Sequence, residues 1–264
     1  MTSAFWEKTM NSMHEDSPAM LAPNLIGCGV TEGSDAWNPD EKGLFIPLDW
    51  VKGCEALMEQ YNNMDDNDES DDDSSSSNNN NSWTVVAQGG LAPIGVLLAE
   101  RNPNTVRQLV LASPPTWKEM TTAVPEQELA RNYNFLRNPL WGNVAFSLLE
   151  SEWAIRYFSN LFLFSEPCDD LWIETAKQEC SSVEARPPVQ CFNAGMCLNK
   201  SLEAELSSLQ QPTWIVEGQD DKRERMEYMQ WMKNCRIQKV LPGTNVIPWE
   251  FPDEFAQVLA EIVR

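Results

Sequence analysis

The stretch from Trp83 to Ala112 constrains this chain more than any other. Thr84-Val85-Val86-Ala87-Gln88 is a continuous β-favouring run, as expected of a strand buried on both faces. Gly89-Gly90 follows at once, and Leu91 to Glu100 then reads as a helix. Arg107-Gln108-Leu109-Val110-Leu111-Ala112 is a second strand, ended by Ser113-Pro114-Pro115. Strand, glycine turn, helix and strand form a βαβ unit. Such a crossover joins parallel strands, so the expected architecture is α/β with a mostly parallel sheet flanked by helices.

The other segments fit around this unit. Phe5 to Met13 reads as a short helix, and Met20-Leu21-Ala22-Pro23-Asn24-Leu25 as a short strand running into Gly27-Cys28-Gly29. Leu48, Val51, Cys54, Leu57 and Met58 lie three or four apart, which predicts a helix over 48–61. From Asn62 to Ser82 the chain is Asn, Asp, Glu and Ser with almost nothing apolar. That insert cannot recover the entropy of ordering and is expected to be a disordered loop; Ser74 to Ser77 beside acids could alternatively accept phosphate. Residues 118–207 carry mainly helical patterns rich in Trp, Phe, Leu and Met. Strand character returns at Thr213-Trp214-Ile215-Val216 and at Ile237-Gln238-Lys239-Val240-Leu241, and Phe255 to Val263 closes as an amphipathic helix. The expected organisation is therefore an α/β core over 1–117 and 208–264, interrupted by the insert at 62–82 and by a helical cap over 118–207.

Charge narrows the partners. The chain holds 19 basic against 40 acidic residues, a net charge of −21, with seven of the acids between Asp65 and Asp73. Such a chain repels phosphate backbones and anionic lipid, so charge-driven binding to nucleic acid or a membrane surface is excluded. No apolar run is long enough to span a membrane, and the first eight residues lack a secretory pattern. The seven cysteines form no Cys-x-x-Cys and no even framework. They point to buried thiols in a reducing, intracellular compartment, with Cys191 and Cys197 as the one pair that could become labile. His14 is the only histidine, so neither a metal site nor a cofactor is expected.

Four segments in this order resemble the α/β-hydrolase superfamily, in particular its capped branch of haloalkane dehalogenases, epoxide hydrolases and esterases. Ala22-Pro23-Asn24-Leu25-Ile26-Gly27-Cys28-Gly29 is similar to the family's Ala-Pro-Asp-Leu-x-Gly-x-Gly segment. Leu98-Ala99, Pro103, Val106 and Leu109-Val110-Leu111 match the helix and strand after the nucleophile. Pro212 to Asp221 resembles the strand and turn that deliver the acid. Pro242-Gly243-Thr244-Asn245, with Pro248, Glu250, Pro252 and Glu254-Phe255, resembles the segment that carries the histidine.

The resemblance implies a nucleophile, a base and an orienting acid at defined positions, and the chain departs from it at two of the three. The nucleophile position falls on Gly89, which has no side chain, and residues 85–93 contain no Ser, Cys, Asp or Glu. The histidine position falls on Asn245, whose amide cannot act as a base. The acid position survives as Asp221, and Gly90 keeps one backbone donor for an oxyanion. Ser113 at the end of the second strand is expected to face the crevice, and Trp117, Trp153, Phe158 and Phe162 to line an apolar pocket. His14 is expected at the surface, away from the site. The chain also starts after the family's first strands and their His-Gly-type turn. That leaves three alternatives: the strands matching 21–24 and 84–88 pair directly, the gene product is incomplete, or a partner completes the sheet. The resulting expectation is a hydrolase-like fold without hydrolytic activity that binds a small apolar molecule or a protein partner. An esterase-like enzyme using other residues and a truncated gene product are the alternatives, and the compartment, cytoplasmic or plastid, stays open.

Overall fold

The computed structural model of the protein describes residues 2–29, 45–65, 82–138, 140–179, 183–219, 221–240 and 243–263. The βαβ pattern is realised in a sheet of four parallel strands: β1 (Trp83–Gln88), β2 (Val106–Ala112), β3 (Thr213–Gly218) and β4 (Cys235–Val240), ordered β1-β2-β3-β4. A 3-10 turn over Ser3–Trp6 leads into α1 (Glu7–Ser12). Then come α2 (Leu48–Asp65) and α3 (Ala92–Arg101), the latter crossing from β1 to β2. Between β2 and β3 lie α4 (Trp117–Thr121), α5 (Glu126–Arg137), α6 (Gly142–Leu149), α7 (Glu152–Phe162), α8 (Asp170–Glu179), α9 (Arg186–Asn193) and α10 (Glu203–Ser208). The chain continues through α11 (Met226–Trp231), α12 (Ile247–Glu250) and α13 (Pro252–Val263).

Two expectations from the sequence are corrected. Met20 to Leu25 forms no strand. Pro23 stands in its middle without an N–H to donate, and Asn24 instead accepts a hydrogen bond from the Ser3 amide at 2.7 Å. Of the three alternatives, direct pairing of that segment with β1 is therefore not what the described residues show. Asn62 to Asp65 continues α2 rather than opening a disordered insert, because Trp83 holds that end: its indole N–H donates to Asn62 Oδ1 at 3.2 Å and its ring meets Tyr61 edge-on at 5.3 Å. The rest of the insert, 66–81, lies outside the described residues.

Alternate side chains of each strand enter different cores. Leu109, Leu111 and Ile215 pack with Trp50, Val51, Ile94 and Leu98 of the α2/α3 layer. Val110, Ala112 and Val216 face the other way, onto Ile247, Phe255, Leu259 and Ile262, with Trp6 and Val86 beside them. The helix α3 lies so close to β1 that a Cβ on Gly95 would stand 2.8 Å from the Ala87 Cβ. A third cluster ties the helices between β2 and β3 to the chain ends: Phe164, Cys168, Ile173, Val246 and Trp249 are buried together, with Phe5 and Trp172 packed on them.

Candidate functional site

At its C-terminal end β1 runs directly into a turn. Gln88 is still extended, Gly89 has φ +55°, and α3 begins three residues later, at Ala92. A side chain on Gly89 would meet nothing within 4 Å but would pay for the left-handed backbone; glycine adopts it freely. Over Gly90 sits the ring of Phe192 from α9, whose Cζ lies 2.6 Å from where a Cβ would be. The turn borders a cavity of about 480 Å³ that runs along the whole of β1, from Trp83 to Gln88, and on to Leu91.

Asn245 and Arg223 close the Gly89 end of this cavity. The Gln88 amide donates to the Asn245 carbonyl at 2.9 Å. Arg223 donates through Nη2 to Asn245 Oδ1 at 2.8 Å and to Asp221 Oδ2 at 2.9 Å, and through Nε to Asp221 Oδ1 at 3.1 Å. Arg225, fully buried, adds a bond to Asp221 Oδ2 at 2.9 Å and reaches Glu217 at 3.3 Å and the Pro114 carbonyl at 2.7 Å. Burial pushes the Asp221 carboxyl up, but the Arg223 side-chain and backbone bonds and the Arg225 charge outweigh it and hold it below the ordinary aspartate value. The acid is thus a fully engaged anion between two guanidinium groups.

The turn at Gly89 and Gly90, Asn245 and, through Arg223, Asp221 are brought together although they come from distant parts of the chain; only the resemblance grouped them in the sequence. The cations were missed in the sequence. Arg223 and Arg225 follow Asp221 at two and four residues, and that spacing was the available signal. The side chains expected to line a pocket do not line this cavity. Ser113 is fully buried with φ +44°, and its hydroxyl donates to the Thr244 carbonyl at 3.1 Å. Trp117 packs edge-on against Tyr228 at 5.5 Å. Trp153, Phe158 and Phe162 lie on the solvent side of α7, because that helix turns its small residues, Ala154 and Ser159, inward. From the helical stretch between β2 and β3 come Leu163, Trp172 and Phe192 instead. His14 is exposed and outside the cavity.

The chemistry available on the lining is narrow. Among the described residues its only hydroxyl and thiol groups are those of Thr2, Thr84 and Cys54, and none of its lining residues carries a carboxylate, imidazole, phenol or amine. Thr84 Oγ1 accepts from Gln108 at 3.0 Å, and burial raises the Cys54 thiol to about 11. Among the described residues no group of carboxylates, cysteines and histidine is placed to hold a metal ion, and no helix is long and apolar enough to cross a membrane.

A parallel sheet between two helical layers, a strand ending in a glycine turn at a helix start, and an acid carried on the loop after β3 define the α/β-hydrolase fold. No family model and no curated protein matches the sequence. Solved structures match its fold. The epoxide hydrolase CorEH aligns over 100% of this chain and 89% of its own at 14% identity and a TM-score of 0.68. A variant of the haloalkane dehalogenase DatA from Agrobacterium tumefaciens C58 aligns over 100% and 86%, at 17% and 0.64. A serine hydrolase from the polyaromatic-hydrocarbon-degrading bacterium Cycloclasticus zankles aligns over 100% and 85%, at 14% and 0.65.

Proposed function

We propose that this protein binds rather than transforms: it uses the α/β-hydrolase fold without hydrolytic activity, and its cavity along β1 receives a small apolar molecule or a protein partner. One observation supports this most. Where hydrolysis would need an activated nucleophile beside a base, the cavity presents the bare turn at Gly89, the amide of Asn245 and a guanidinium, with no general base among the described residues of its lining. The six described cysteines stand as free thiols, which supports a reducing, intracellular compartment.

The purified protein is expected to leave p-nitrophenyl esters intact and to resist fluorophosphonate labelling. Gly89→Ser combined with Asn245→His restores two side chains in a space that a Cβ at Gly89 can enter. Little rescue is expected, because one missing oxyanion donor alone removes about 3 kcal/mol of transition-state stabilisation. Steady turnover by the unaltered protein, lost on replacing Cys54, Thr84 or Asp221, would return it to the enzymes.

A further inference from the structure

The sheet ends at β1, yet β1 is not at the surface. None of its six residues is exposed. Its free edge, which pairs with no strand among the described residues, looks into the cavity along its full length. An edge strand presents a row of backbone N–H and C=O groups that need partners. The walls around that edge continue the two layers that cover the rest of the sheet. Cys54, Leu57 and Met58 of α2 stand on the side that Val85 faces, and Trp6 on the side that Val86 faces. Leu21, Pro23 and Leu25 form the far wall in a segment that makes no strand of its own. Thr2 also lines the cavity, and its hydroxyl, on a residue only 8% exposed, has no partner among the described residues.

We propose that this cavity is a strand-acceptor slot: an extended segment of another polypeptide, about six residues and about 20 Å long, adds to the sheet at β1. The proposal rests on reading the cavity as a binding site, and it names the occupant's chemistry. A hydrocarbon would satisfy the apolar walls but leave the β1 amides and Thr2 unpaired; a main chain satisfies both. Because both faces of the slot are apolar, the segment is apolar on both faces, as in a parallel sheet covered on two sides. Among the described residues Arg223 is the only charged side chain on the lining, and it stands at the Gly89 end. The segment is therefore uncharged along its length and carries any acid at that end. Outside the slot, a net charge of −21 favours basic flanks.

The test uses a fluorescein-labelled peptide, Lys-Thr-Val-Ile-Val-Thr-Val-Lys, and the same peptide with alternate amides N-methylated, which keeps the side chains and removes the main-chain donors. The parent peptide is expected to bind the intact chain by anisotropy and to slow hydrogen exchange across 83–88, and the methylated peptide to bind at least tenfold more weakly. Leu57→Glu, which sets an acid on the slot wall, is expected to weaken the parent tenfold. If that variant does not fold, the comparison of the two peptides on the unaltered protein decides alone. Equal binding of both peptides, binding of neither, or displacement of the parent by hexadecanoic acid without protection of 83–88 would each overturn the proposal. So would a dimer that the peptide dissolves, since that assigns the slot to a second copy of this chain. Ester turnover would defeat the non-catalytic reading and leave the peptide comparison intact, so the two failures are distinguishable.

Discussion

Two arginines take up the hydrogen-bonding capacity of Asp221, and Asn245 meets Arg223 rather than the acid. The same bonds make it a pH-dependent contributor to stability. Its carboxyl is held below the ordinary aspartate value, so the stabilisation is complete at neutral pH and is lost as the pH falls through the folded-state value, below the ordinary aspartate range. Thermal midpoints measured from pH 7 down to pH 2.5 are expected to fall on the acid side, with a shallower slope in Asp221→Asn than in the unaltered protein. Asp221→Asn should also be less stable at pH 7, because it leaves the buried Arg225 short of an anion. Identical slopes would mean that Glu55 and Asp169, also held below their ordinary values by arginine and lysine partners, carry the acid transition.

At the scale of elements, α7 inverts the usual reading of an aromatic-rich helix. A large aromatic is ordinarily expected to be buried. In α7 the inward positions are Ala154 and Ser159, which let the helix sit close to its neighbours, while Trp153 and Tyr157 stack on each other at 5.6 Å outside. The buried tryptophan of this region is Trp249 on α12, with Trp172 edge-on at 5.1 Å and its indole N–H on Asp169 at 3.2 Å. Two equal substitutions therefore have unequal consequences. Trp249→Ala, from a residue 2% exposed, is expected to cost about 3–5 kcal/mol in urea unfolding. Trp153→Ala, from a residue 66% exposed, should change stability by less than about 0.5 kcal/mol. A large loss at Trp153 would place it against structure that the described residues do not contain.

For the whole molecule, the three clusters leave the thiols little access to water. Burial raises Cys54 to about 11 and Cys197 and Cys235 to about 12, so all three are neutral thiols at physiological pH and poor nucleophiles. Iodoacetamide at pH 7.5 is expected to modify these three slowly in the folded protein and rapidly above the urea midpoint, with one common transition seen by mass spectrometry. Fast labelling of Cys54 alone would show that the slot beside β1 opens without global unfolding.

The local order of elements could be read from the chain because it is written in short-range patterns. The apolar run at 84–88, the glycine pair, the helix and the second strand are contiguous, and the four strands of the sheet and the four helices given bounds formed within a few residues of them. That glycine stands at 89 and asparagine at 245 could be set against the resembled motifs too, since this needs only position and residue type. What depended on distant residues could not. Whether Met20 to Leu25 became a strand rested on a proline in its middle and on the Ser3 amide that Asn24 accepts. Which face of α7 turned inward rested on how close its neighbours stand. The lining of the cavity rested on β1 ending the sheet, which left a backbone edge between two apolar layers and brought Arg223 to its end. Periodicity specifies which residues share a face; only the packing of one element against another decides what that face meets.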